Sequence, residues 1–275
     1  MQPLNTIPTA TLKKVHTVFF DIDDTLTTDG RLTAHAYAAL ETLKRHGIVT
    51  AAITGRPAGW CDHIARMWPV DGVVGENGAF YFYFDEQAKK CVQHFLADAA
   101  TRLTRRAQMA QIAANILQAV PGCAMASDQA YREADIAIDF CEDVPRLPEA
   151  AVAQIQAMMV AAGLQAKISS IHVNGWFGDY DKLSTTKIFA RDVLKLDLQA
   201  ERAHCLFLGD SPNDAPMFEF FPNTIGVANV ADMAHLLPHK PAYITQGRGG
   251  AGFAEAAEML LKAQQHASCG GLKTP

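Results

Sequence analysis

The chain has 275 residues, with 24 Lys and Arg against 29 Asp and Glu and a formal net charge of −5, so it can bury one sizeable core plus a smaller module and, without any Lys/Arg block, is not expected to bind nucleic acid. No apolar run approaches the roughly 18 residues of a membrane span, and the start "MQPLNTIPTATLKK" lacks the basic and apolar segments of a secretory leader. A soluble, cytoplasmic protein with no membrane partner is the expectation.

In chain order, "VHTVFF" (15–20) is β-branched and aromatic without strict alternation, which predicts a strand covered on both faces of a parallel sheet. Thr33 can cap a helix through "AHAYAALETLKRH" that stops at Gly47, and "IVTAAIT" makes a second strand. A further helix is predicted from Pro57 to before Pro69, followed by "GVVGENGAFYFYF", a strand running into a hairpin around Asn77 and Gly78. From residue 84 the texture changes. Leu103, Met109, Ile112, Ile116, Leu117 and Val120 fall at helical spacing, whereas Ile136, Ile138 and Phe140 alternate with Asp135, Ala137 and Asp139 as in a one-faced strand. A helix "EAAVAQIQAMMVAAG" and strands "LQAKISS" and "IHVNGWF" complete an α+β module. From Ser184 the first texture returns, with helix "STTKIFARDVLKL", strands "HCLFLGD" and "NTIGVAN", helix "ADMAHLL", strand "AYIT", helix "AGFAEAAEMLLKAQQ" and a frayed tail "SCGGLKTP". The expected fold is α/β, a doubly wound parallel sheet formed by residues 1–83 and 182–275, with an inserted α+β cap at 84–181.

Six scattered cysteines with no CxxC pair read as reduced thiols, and Pro238 between His235 and His239 spoils that pair as a helical metal clip.

Ligands of an open parallel sheet gather beyond the carboxyl ends of its strands. Four stretches fall there: "DIDDT" at 21–25, "TGRP" at 54–57, Lys187 in the first turn of the late helix, and "GDSPND" at 209–214. Asp21 and Asp23 leave an extended backbone on one side. With Asp210 and Asp214 they make a set of hard oxygens suited to Mg²⁺, which would offset the repulsion among them. A carboxylate beside Mg²⁺ can attack phosphorus to give an aspartyl phosphate, a second can shuttle the proton, and the Thr54 hydroxyl and Lys187 ammonium can hold phosphoryl oxygens.

The ordered set "FFDIDDTL", "ITGRP", a Lys at the start of a late helix and "LGDSPNDAPMF" resembles the haloacid dehalogenase-like hydrolases, mostly Mg²⁺-dependent phosphatases, and "GENGAF" with "GDSPND" resembles subfamily IIB. The resemblance implies Asp21 as nucleophile and Asp23 as general acid/base. It also implies Thr54 and Lys187 as phosphate holders, and Asp21, Asp210, Asp214 and the backbone carbonyl of Asp23 around the metal. Asn213 and Arg56 would reach the substrate. Ile188 stands where the family usually has Gly after its Lys, and Lys182 is the rival; Lys187 is preferred because it lies 23 positions before Asp210 and Lys182 would precede the helix. The short gap from Asp24 to Ala34 leaves the later insert as the lid. In that lid His172, Asn174 and Trp176 share one strand face and could meet the leaving group, although exposed sheet faces are polar in any case. Asn77 could touch substrate or only support a left-handed turn. The expected activity is hydrolysis of a small phosphorylated metabolite, a sugar phosphate. A phosphotransferase or phosphomutase would use the same aspartyl phosphate, and a signalling receiver, which also gathers Asp, Thr, Lys and Mg²⁺, would seldom carry so long an insert.

Overall fold

A computed structural model describes residues 1–268; of the tail expected to fray at 268–275, Ser268 closes the helix Gly249–Ser268 and residues 269–275 lie outside the described residues. Among the described residues the strands form one sheet of nine and one of four. The large sheet runs 2–3, 243–244, 224–226, 205–209, 17–20, 49–53, 72–75, 80–85, 90–95. Its first seven strands are parallel and its last two antiparallel. Thr17–Phe20 sits at the centre with all four residues buried, and its successive side chains feed opposite layers. Phe20 packs with Leu40, Leu43, Leu206 and Phe253, Phe19 with Ile53, Phe189, Phe207 and Phe221. This is why the segment reads as continuously apolar. No described helix is long and apolar enough to cross a membrane.

The register fixes the site. Phe20 pairs with Leu208 on one side and Ala52 on the other, so Asp21, Thr54 and Asp210 leave three adjacent strand ends within about one residue of the same level.

The small sheet is antiparallel in the order 124–125, 135–139, 172–176, 165–168. Ile136, Ile138 and Val173 face Met109 and Ile116 of helix Ala99–Ala119 and Ile155 and Met159 of helix Glu149–Ala161. The opposite face carries Asp135, Asp139, His172 and Asn174, which alternate with those apolar positions.

Three expectations are corrected. The boundary drawn at residue 84 falls inside strand Phe80–Asp85, which pairs with Lys90–Phe95 in the large sheet. The change of texture there marks a hairpin, and the chain leaves the large sheet only after Phe95. The late helix starts at Lys182, not Ser184, because Asp181 caps it: the Asp181 side chain accepts from Ser184 N at 2.7 Å while Ser184 Oγ accepts from Asp181 N at 2.8 Å. The predicted helix at 231–237 is only a 3₁₀ segment, Ala228–Met233.

Candidate active site

Asp21 follows the central strand directly and is 3% exposed. Its Oδ1 lies 3.1 Å from Lys182 Nζ, which stands 2.8 Å from Asp214 Oδ1. Asp214 Oδ2 accepts from the backbone N–H groups of Asp210 (3.0 Å) and Ser211 (3.3 Å). Asp210 accepts from Thr25 Oγ1 and from Asn229 Nδ2, each at 3.2 Å. One carboxylate oxygen from each of Asp21, Asp210 and Asp214 lies within 4.8 Å of the others. Burial pushes the Asp21 carboxyl up to about 8 against the pull of Lys182, and Asp214 and Asp23 push the same way. Burial, then Asp21 and Asp214, hold Asp210 well above the ordinary range.

The donor set fits a hard divalent cation. Asp21 Oδ1 is buried with only the Lys182 ammonium close to it, and Asp210 stands beside it, an oxygen pair of the kind Mg²⁺ takes with retained waters. Both oxygens of Asp214 already have partners, so this residue fixes Lys182 and the 209–211 backbone next to the ion position.

Lys187 is not in this group. Its Nζ lies 4.2 Å over the Phe220 ring, in a groove with Arg191 and Lys195. Five residues along an α-helix turn the side chain by about 140°, so with the helix beginning at Lys182, Lys187 points away from Asp21. Lys182, the rival, is the buried ammonium of the site, and Asp21 and Asp214 hold it above its ordinary value despite burial.

Asp23 turns its carboxylate to Arg56, which donates from Nε at 2.9 Å and approaches with Nη2 at 2.7 Å. The same guanidinium donates to Asp128 (3.2 Å) and Glu142 (2.7 Å) of the inserted module and lies over the Trp60 ring at 4.4 Å. Arg56 is thus engaged by protein carboxylates rather than open to a ligand. His172 Nε2 lies 2.9 Å from Glu142 Oε2, and Asn174 Nδ2 donates to Asp135. Asp135 and Asp128 are held by the buried Arg132, which donates to the Gly55 carbonyl at 2.9 Å. Arg56, Arg132, His172 and Asn174, with Asp21, Asp23 and Asn213, line a cavity of only about 10 Å³.

Thr54 is fully buried and its Oγ1 accepts from Arg56 N at 3.0 Å. Asn77 has φ 54°, as the turn reading expected, and its Oδ1 accepts from Asn213 Nδ2 at 3.1 Å, while its own Nδ2 is buried without a partner. Next to it Gly78 has φ 113°, and a side chain there would run into the Asp181 backbone. The hairpin therefore packs against the cap of the helix that carries Lys182, and Thr185 Oγ1 donates to the Gly78 carbonyl at 2.6 Å.

Several residues escaped sequence reasoning. Glu76 is buried and accepts from the N–H groups of Ala58, Glu133, Ala134 and Asp135, joining the two sheets. Asp128, Arg132 and Asp135 form an i, i+4 and i+3 set whose spacing was a readable signal of ion pairing. Asn229, which bridges Asp210 Oδ2 and the Asp24 carbonyl, had none.

A second cavity, about 780 Å³, opens between the sheets with Asp24, Asp210 and Asn229 on one side and Arg146, Gln156 and Ser170 on the other.

The family model described as haloacid dehalogenase-like hydrolase matches residues 18–129. No curated protein matches the chain. Among solved structures, the Thermoplasma acidophilum 0175 protein superposes with a TM-score of 0.66 at 17% identity, covering 90% of this chain and 98% of its own. The sucrose-phosphatase of Synechocystis, solved with sucrose and phosphate, gives 0.61 at 17% identity over 90% and 98%. A subclass IIB sugar phosphatase gives 0.58 at 14% identity over 92% and 99%. Identities this low speak to the fold alone. The family match is carried by the segment that holds "DIDDT" and "TGRP", and the mixed sheet with its inserted module has the fold of these structures, a subclass IIB sugar phosphatase among them.

Proposed function

We propose that this protein is a Mg²⁺-dependent phosphatase of a small phosphorylated metabolite, a sugar phosphate, working through an aspartyl phosphate. The observation that carries the reading is the convergence of Asp21, Asp210 and Lys182 at adjacent strand ends, with Lys182 3.1 Å from Asp21. Asp21, Asp210 and the Asp23 carbonyl, with Asp214 beside them, would hold Mg²⁺, which supplies charge to neutralise phosphoryl oxygens. Asp21 attacks phosphorus, and the bond to the leaving oxygen breaks as Asp23 protonates it. Water then attacks the aspartyl phosphate, Asp23 takes its proton, and inorganic phosphate leaves with Asp21 restored. Lys182 and Thr54 hold the phosphoryl oxygens, and Asn213 and Asn77 border the substrate side.

The inserted module is the lid over a core of residues 1–83 and 182–275, with the hairpin arm 90–95 also part of the core sheet and the crossings near 96–98 and 177–181. It opens to admit substrate and closes to exclude water. The contacts of Arg56 with Asp23, Asp128 and Glu142 support that reading, since one guanidinium spans both bodies. A cavity of about 780 Å³ beside Asp210 has the size of a small-ligand pocket and polar groups suited to hydroxyls. That, and the sugar phosphatases among proteins of like fold, supports a sugar leaving group. Five free cysteines among the described residues support a reducing, cytoplasmic setting.

The test is phosphate release from an aryl phosphate with and without Mg²⁺, then from a panel of phosphorylated sugars and glycerates. Activity is expected only with Mg²⁺, and full turnover by Asp21→Asn would refute the nucleophile.

A further inference from the structure

At the far end of the large sheet from Asp21, His16 precedes strand Thr17–Phe20 and His204 precedes strand Cys205–Gly209. The strands are parallel neighbours with Thr17 opposite Cys205, and the His16 N–H donates to the His204 carbonyl at 3.0 Å. The backbone therefore sets the two imidazoles side by side, ring centroids 5.7 Å apart. Glu201, three residues before His204, brings Oε2 to 2.7 Å from His204 Nδ1 and 3.6 Å from His16 Nε2. One ligand atom from each of the three residues lies within 4.8 Å of the other two.

We infer that His16, Glu201 and His204 form a Zn²⁺ site separate from the acidic centre. Two imidazoles and one carboxylate are a zinc donor set, and a tetrahedral ion with arms of about 2.0–2.1 Å spreads its ligand atoms by about 3.4 Å. The observed separations bracket that value, so the side chains need only small adjustments. His16 Nδ1 lies 2.9 Å from Oγ1 of the buried Thr17. With the Nδ1 proton given to that oxygen, Nε2 presents its lone pair to the cluster, the outer contact that orients metal-binding histidines. The ion would replace the proton shared by His204 and Glu201. The side chains are between 38% and 46% exposed, which leaves the fourth position to water. Donor type sorts the two sites: Mg²⁺ keeps to oxygen, and imidazole selects the later transition metals. Bound zinc would tie the turn at 201–204 to the central strand that ends at Asp21, and so would stabilise the native chain by mass action.

The experiment uses the whole chain, stripped with a chelator, dialysed, and titrated calorimetrically with Zn²⁺ in millimolar Mg²⁺. One Zn²⁺ per chain is expected, bound equally by the wild type and Asp210→Asn. The affinity should fall at least about 10-fold in Glu201→Gln and in His204→Gln, since even outer contacts cost that much. Zinc should also raise the melting temperature of the wild type and not of these two variants, and Co²⁺ should give a visible ligand-field band that they lose. Absence of saturable uptake by the wild type overturns the inference. So does uptake that survives in His204→Gln and disappears in Asp210→Asn, which would assign the zinc to the acidic centre.

Discussion

Arg56 Nη2 and Glu142 Oε1 stand 2.7 Å apart across the junction of the two sheets, one side chain from the loop after strand Val49–Ile53 and the other from the inserted module. The same arginine holds Asp23, so the proposed general acid and the inserted module share one guanidinium. Burial works against ionisation of Glu142, yet His172 and Arg56 pull its carboxyl down to about 2 from an ordinary 4.5.

The pH dependence follows with a definite sign. A carboxyl depressed in the folded state contributes stability that is present in full above 4.5 and lost as pH falls from there towards 2. The gap in melting temperature between the wild type and Glu142→Gln should stay constant from neutral pH down to about 5 and shrink below it. A gap that widened on acidification would contradict the pair.

Lys182 and Lys187 separate cleanly by mutation. Lys182→Met removes the charge between Asp21 and Asp214 at similar volume, and turnover of an aryl phosphate should fall about 10²–10³-fold, the scale of losing one preorganised electrostatic group. Lys187→Met removes only a cation over Phe220, about 0.5–1 kcal/mol of stability, with turnover intact. The reverse outcome would restore the original assignment of Lys187.

Metal dependence should reside in Asp210. Its two oxygens are positioned by Thr25 and Asn229, so Asp210→Asn keeps the shape and loses the charge. The Mg²⁺ concentration for half-maximal turnover is expected to rise at least about 10-fold, and a chelator should abolish wild-type activity until Mg²⁺ is restored. An unchanged Mg²⁺ titration in Asp210→Asn would remove this residue from the metal site.

Asp181 offers a structural test. Asp181→Ala deletes the cap of the helix that carries Lys182, and urea unfolding should show a loss of about 1 kcal/mol, within the usual range for a missing N-cap. Turnover should fall as well, because fraying of the first turn moves Lys182 off Asp21.

Asp21, Thr54, Asp210 and the sheet that carries them were legible from the sequence by itself, because each lies within two residues of a short apolar strand and strand geometry sets its direction locally. The α+β texture of the insert was legible for the same reason. Only the tertiary structure decided which lysine meets Asp21, since a start two residues earlier, set by the Asp181 and Ser184 pair, rotates the whole helical face. It alone decided that Arg56 answers to Asp128 and Glu142, 72 and 86 residues away, and that His172 and Asn174 meet protein carboxylates. Long charged side chains choose partners by where burial and packing bring opposite charge, and no local periodicity records that.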